Sequence, residues 1–391
     1  MTSRERVLAV LHGNLPDCVP VCPDISNMVP CRLTGKPFWD IYAFQDPPLW
    51  KAHIDAIKYF DLDGGFELYP LGIGNLMSPD TKSSGENRVV HRYDDGRFVT
   101  RQFDPNTGNW ARHVAVYTAD NPPARNVLPS KLGLPENPTE WEPLTGVREW
   151  PTGPELWRTM RQEMGQQGVL GLRGDTTTCL LAGPEDVYAY ADDPAPFFER
   201  RDRILNGFGN RIRFAAAMDD PPDFLMCGGS GTLVWQTPAI FRELALPLLK
   251  EVTRLAHEYG IPTHVHSCGP EKELVAMAAE ETDLTIIDPL EVPPMGDCDL
   301  AELKRRFGSK IALKGNLHTT EVMLRGSVED VKAASRKAID DAGAGGGFIL
   351  STGDQCGRDT PDENIHAMVA TARTYGRYTE TVPEGMTRGA P

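Results

Sequence analysis

Ile261-Pro-Thr-His-Val-His-Ser-Cys-Gly269 is the stretch on which the fold turns. It reads as a short buried strand stopped by Gly269-Pro270, with residues 271–280 as the helix that follows. Side chains alternate along a strand, so His264, His266 and Cys268 are expected on one face, successive members about 6–7 Å apart. An imidazole and a thiol therefore converge at the strand's carboxyl end. Cys356, in Gly353-Asp-Gln-Cys-Gly357 after the last apolar run, reaches the same place if the strands form a parallel barrel, whose carboxyl ends share one face.

Outward from this stretch the chain alternates. Strand-like runs occur at 18–22, 64–70, 169–173, 223–229, 284–289, 311–317 and 347–352, with helical segments such as 196–218, 238–259, 327–341 and 360–375 interleaved. Including 261–269 the count is about eight. Alternation of that kind predicts an α/β chain, a (β/α)8 TIM barrel forming a single domain over residues 1–391. The rhythm breaks between about 85 and 150. Two alternating runs, 88–93 and 97–103, flank Asp94-Asp95-Gly96, and 110–117 reads as a third strand. An antiparallel β insertion is expected there, either a substrate lid or a purely structural excursion.

A net charge of −15 over 391 residues argues against nucleic acid or an anionic membrane as the partner, and 40% hydrophobic content argues against disorder. The amino-terminal residues carry charges at helical spacing, and no apolar run approaches the roughly 20 residues of a membrane span. The expected location is cytoplasmic. Eight scattered cysteines without framework spacing fit a reducing compartment, where thiols are buried or hold metal.

A catalytic zinc takes three protein ligands from His, Cys and carboxylate and leaves one position exchangeable. His266, Cys268 and Cys356 form such a set; the competing reading is a buried thiol beside a hydrogen-bonded histidine. Glu291 lies just beyond the next strand and could close the tetrahedron until substrate displaces it, or be a solvated loop carboxylate, with Asp288 as its rival. His264 sits deeper and suits a core or supporting role. At other strand ends Glu67, Tyr69, Trp235, Gln236, Asn316 and Asp354 are candidate substrate contacts, and His318 either protonates a leaving group or caps the next helix.

Several motifs resemble the uroporphyrinogen decarboxylase-like superfamily across nearly the whole chain outside the insertion. They are Ser3-Arg-Glu-Arg-Val-Leu-Ala9 with Asp17-Cys-Val-Pro-Val21, Gly228-Gly-Ser-Gly231, His264-Val-His-Ser-Cys-Gly269, Asp288-Pro-Leu-Glu-Val-Pro293, Leu313-Lys-Gly-Asn-Leu317 and Thr360-Pro-Asp-Glu-Asn-Ile365. Within it, a His-x-Cys pair with a late Cys is similar to the zinc site of the corrinoid-linked methyltransferases. The resemblance implies zinc on His266, Cys268 and Cys356, with Glu291 where the methionine synthase-type barrel site places a glutamate ligand. Decarboxylases of the superfamily carry an arginine-rich signature near the amino terminus, whereas Cys22-Pro-Asp-Ile-Ser-Asn-Met-Val-Pro-Cys31 holds no arginine.

The resulting expectation is a zinc-dependent methyltransferase. Glu291 and His318 would be catalytic, and a small methylated substrate, first an aromatic methyl ether, would be demethylated in a pocket walled by Tyr69, Trp110 and Trp235. No Asp-x-His-x-x-Gly segment is present to hold cobalamin, so the corrinoid would arrive on a separate protein. The opposite direction, methylcorrinoid to a thiol, and a metal-free decarboxylase-type lyase are the alternatives.

Overall fold

Asp94-Asp95-Gly96 reverses the chain as its turn chemistry requires. Gly96 takes φ +88°, and the Asp95 carboxylate accepts from the Arg97 amide at 3.1 Å. Strands β1 (Glu86–Arg92) and β2 (Phe98–Asp104) pair antiparallel across this turn, and β3 (Asn109–Tyr117), β4 (Ala124–Val127) and β5 (Glu142–Pro143) complete a sheet of order β4-β3-β2-β1-β5. In this computed structural model, which describes residues 1–66, 71–77, 85–174 and 180–378, the sheet belongs to a unit made of Ile25–Ala56 and Ser78–Met160. The unit is larger than the 85–150 insertion because an isolated sheet must bury one face. Trp39, Tyr42, Ala43 and Phe44 supply that cover over Val89, Phe98 and Tyr117, whose last two rings stack at 4.8 Å.

His53 is a pH-sensitive element of this unit. It is buried, hydrogen-bonded through Nε2 to Asn27 at 3.0 Å, and burial pushes its pKa down to about 4. The folded chain thus holds the ring neutral where the unfolded chain would protonate it. This contribution is complete above the unfolded value near 6.5 and is lost as pH falls toward 4, on the order of 3 kcal/mol in all. Urea midpoints between pH 7 and 4 should fall for the wild type and fall distinctly less for His53→Gln. Parallel curves would remove His53 as the cause.

The second unit comprises Met1–Asp24, Ile57–Met77 and Arg161–Pro391. Its strands β6 (Gly171–Arg173), β7 (Phe224–Gly228), β8 (Thr263–His266), β9 (Ile286–Asp288), β10 (Ala312–Leu317) and β11 (Phe348–Thr352) run parallel in chain order. Every residue of β8 to β11 is buried, as expected for strands covered on both faces. Beyond β11 the Cys22 amide donates to Leu350 O and the Leu350 amide to Pro20 O, both at 2.9 Å; beyond β6 the Arg173 amide donates to Leu71 O at 3.0 Å. The Asp63 amide donates to Val21 O at 2.9 Å, so backbone bonds extend the six-stranded parallel sheet at both edges, as a (β/α)8 arrangement requires. One anticipated helix differs: 238–259 is two helices, Pro238–Leu244 and Leu246–Glu258, because Pro247 offers no amide to continue the ladder.

At one end the helix Ser3–Leu11, fixed by a Thr2/Glu5 capping box, inserts Val7, Val10 and Leu11 against Cys22, Phe66, Phe224, Ile286, Ala312 and Ile349. The buried Asp63 carboxylate ties this end together. It accepts from Arg6 at 2.6 Å, from Arg373 at 2.6 and 2.8 Å, and from the Val21 amide at 2.8 Å. Among the described residues no helix is long and apolar enough to cross a membrane.

Candidate metal centre

The parallel register sets His266, the last residue of β8, opposite Asp288, the last residue of β9. His264 and His266 share a face, and both reach the same carboxylate. Asp288 Oδ1 lies 2.9 Å from His264 Nε2 and 3.1 Å from His266 Nδ1, while Oδ2 accepts from the Lys314 ammonium of β10. Asp288 and Lys314 are both fully buried. Burial alone would raise the Asp288 pKa, but the Lys314 charge and the two imidazoles outweigh it and hold the carboxyl well below its ordinary range. For His266 burial lowers and Asp288 raises; the net direction is well above the ordinary value, with a hydrogen bond to Cys268 adding to it.

With Nδ1 engaged, His266 turns Nε2 toward Asp354, whose Oδ1 is 3.8 Å away. Asp24 completes the group: one ligand atom each from Asp24, His266 and Asp354 lie within 4.8 Å of one another. Asp24 follows the first barrel segment and is fixed by its own backbone, its amide donating to Thr352 Oγ1 at 3.0 Å and its carbonyl accepting from the Cys356 amide at 2.8 Å. Asp354 holds φ +112°, a conformation costly for a residue with a Cβ and typical of a functional loop.

Among the described residues the ligand atoms that converge are thus a nitrogen and two carboxylates. β8 stops at His266, so Cys268 lies two residues into the loop, half-buried and hydrogen-bonded to His266. Cys356 lies four residues beyond β11, fully buried, its amide on Asp24. Cys268 thus stands beside His266, and Cys356 is joined to Asp24 through the backbone.

Glu291 is aimed by its loop. Leu290 takes φ +61°, its amide donates to the buried Glu271 carboxyl at 2.7 Å and its carbonyl accepts from Asn316 Nδ2 at 3.0 Å. Gly315 permits that approach, since a Cβ there would stand 2.5 Å from Pro289 O. Glu291 Oε2 accepts from the Gly269 amide at 2.5 Å; burial raises its pKa, and nearby Asp354 adds to the rise against the hydrogen bond and His266. His318 caps the helical turn Thr319–Leu324, its Nδ1 accepting from the Thr320 and Glu321 amides at 3.2 Å, which leaves a neutral ring's proton on Nε2. His318 and Asn316 line a cavity of about 440 Å³, and His318 also borders the gap beside Glu291 and Gly353. Gln236 is buried and donates to Thr232 O at 2.8 Å; Trp235 is exposed on the loop after β7. Trp110 packs on Phe103 within the antiparallel unit, and Glu67 and Tyr69 lie outside the described residues.

Residues 232–375, which hold β8 to β11 with His266, Asp288, Lys314 and Asp354 but not Asp24, match the family model described as Uroporphyrinogen decarboxylase (URO-D). The match is confined to this carboxyl-terminal part of the chain. Proteins of two kinds are similar to it. A methylcobamide:CoM methyltransferase, MtbA, of Methanosarcina mazei is 31% identical over 140 residues, covering 35% of this chain and 37% of that protein. A uroporphyrinogen decarboxylase of Thioalkalivibrio sulfidiphilus is 28% identical over 137 residues, 34% and 36% of the two chains. The chain therefore spans little more than a third of these relatives' length. A solved methyltransferase from Methanosarcina mazei shares the fold with a TM-score of 0.59 at 18% identity, covering 96% of this chain and 99% of that one. Asp24, Glu271 and Lys314 stand at the site and were passed over by sequence reasoning. Asp24 stands just past a strand end, and Lys314 is a charge inside an apolar run, so both carried a signal.

Proposed function

We propose that the chain is a zinc-dependent methyltransferase that moves a methyl group from a small methylated donor, an aromatic methyl ether in the first instance, to the cobalt of a separate corrinoid protein. The observation that carries this reading is His266, held at Nδ1 by Asp288 with Nε2 turned to Asp24 and Asp354 and the Cys268 thiol beside it. This donor set fits zinc, which takes imidazole, thiolate and carboxylate together and whose histidine ligands commonly rest on a carboxylate. His266, Cys268 and Cys356 would hold it, with Asp24, Asp354 or Glu291 filling the remaining position. When bound, zinc supplies the positive charge that stabilises the donor oxygen as its bond to carbon breaks.

The chain's own groups do the rest. In the reaction R–O–CH3 + Co(I) + H⁺ → R–OH + CH3–Co(III), cobalt contributes both electrons of the new bond and the old bonding pair stays on oxygen, which takes a proton. Glu291, with its raised pKa, and His318, through Nε2–H, would hold or deliver that proton. His318 also lines a cavity of about 440 Å³, in the size range of small-molecule sites, whose other walls include Asn316, Lys337 and Asp341. Similarity to MtbA keeps the reverse direction, methylcorrinoid to a thiol, as the second reading, and similarity to decarboxylases keeps a metal-free lyase as the third.

Elemental analysis of the purified protein tests the reading first. About one zinc per chain, removable by a chelator with loss of transfer and without unfolding, is expected; a protein active without metal would exclude it. Glu291→Gln should lower turnover about 10²-fold or less, within the range of general acid–base catalysis, and leave zinc content unchanged. Wild-type turnover and pH profile in that variant would make Glu291 an ordinary loop residue.

A further inference from the structure

Lys314 and Asp288 form an ion pair at the barrel interior with no exposed surface on either side chain. Removing two charges from water costs several kcal/mol per ion, and apolar residues of equal volume commonly stabilise such a site as well or better. Stability alone therefore does not account for the pair. Its hydrogen bonds suggest another purpose. Asp288 Oδ2 is occupied by Lys314, which leaves Oδ1 to accept from both His264 Nε2 and His266 Nδ1. The lysine also lies 5.4 Å from the centroid of the Phe66 ring, which packs edge-on against His264 at 5.2 Å. His264 has no hydrogen-bond partner at Nδ1, so Asp288 alone orients it through polar contact.

We propose that Lys314 is a positioning residue for the metal centre. By fixing Asp288 Oδ2 it fixes the rotation of the carboxylate, keeps Oδ1 between the two imidazoles, and so directs His266 Nε2 at Asp24 and Asp354. The described bond of Lys314 to the centre is the one to Asp288, so its effect on His266 runs through that carboxylate. The inference rests on the zinc reading only where metal affinity is measured, because the orientation of His266 exists in the metal-free chain.

Lys314→Met removes the ammonium at nearly the same length and tests both parts. In metal-free wild type, the His266 Nδ1–H held by Asp288 should give a slowly exchanging downfield proton resonance, lost or shifted in the variant. Zinc affinity, read by competition with a chromophoric chelator, should fall about 10–100-fold, the range for residues that support a ligand from behind, with an unchanged circular dichroism spectrum. Should the single variant fail to fold, Lys314→Met with Asp288→Asn removes both charges of the pair and replaces the test. Its affinity should remain low, because a neutral amide oxygen is a poorer acceptor for two imidazoles. A folded single variant with the resonance in place and affinity within about twofold of wild type overturns the proposal, as does a double variant with wild-type affinity, which would reduce Lys314 to charge neutralisation. If the wild type binds no zinc, the zinc reading fails and the resonance alone decides the role of Lys314.

Discussion

Replacing His266 by alanine is expected to strip zinc from the protein and to lower methyl transfer on the order of 10²–10³-fold, the loss typical when a preorganised stabiliser of developing negative charge is removed. An aryl or alkyl oxygen leaves poorly without such a charge, so no other group in the site substitutes for it. The barrel should survive the change. Asp288, the partner left behind, still accepts from His264 and from Lys314 and is not stranded as a lone buried charge. Metal content, circular dichroism and turnover of His266→Ala check this together, and a variant retaining full zinc and full activity would contradict it. Parallel substitutions separate the donor sets that border the ion. If the thiols are ligands, Cys268→Ala and Cys356→Ala each lose metal; if the carboxylates carry it, Asp24→Asn and Asp354→Asn do so while the alanine variants keep it.

Asp63→Ala should be strongly destabilising at the opposite end of the unit, by about 3–5 kcal/mol, since it removes the buried carboxylate that holds Arg373 and that Arg6 shares with Asp17. The carboxylate accepts from Arg6, Arg373 and the Val21 amide, and the Asp63 amide itself donates to Val21 O. These bonds join the first two barrel segments to each other and to the terminal helices Ser3–Leu11 and Asp362–Thr374. For a unit of this size the loss corresponds to a drop in Tm of roughly 10 °C. A thermal melt within about 2 °C of wild type would show that the cluster is better solvated than its burial implies.

The parallel strands were legible in the sequence because each is a short apolar run followed by a helix, and the hairpin because Asp94-Asp95-Gly96 has one turn chemistry. The extent of the antiparallel unit was not. Residues 25–56 carry no strand signal, and their membership follows from tertiary cover: Trp39 and Phe44 fill the face that Val89 and Phe98 expose. The centre divided similarly. His266 was found from alternation along β8, which holds while the chain is extended. Cys268 lies two residues past the strand end, where alternation no longer sets direction, and its distances to other donors depend on loop geometry. Asp24 and Lys314 went unremarked because their roles come from neighbouring strands: Asp24 from its bonds to Thr352 and Cys356, Lys314 from facing Asp288 across the β9–β10 pair.

The central claim is methyl transfer to cobalt at a zinc centre, and one anaerobic spectroscopic measurement reaches it directly. The protein is mixed with a separate corrinoid protein reduced to Co(I) and offered methoxylated arenes, methylthiols and methylamines in turn. The account predicts that a methyl ether converts the Co(I) spectrum to that of methyl-Co(III), with one demethylated product formed per cobalt, and that prior removal of zinc prevents the change. Release of carbon dioxide from a carboxylated substrate, with the cobalt spectrum unaltered by every donor and by the reverse assay with methylcobalamin and thiols, would contradict it.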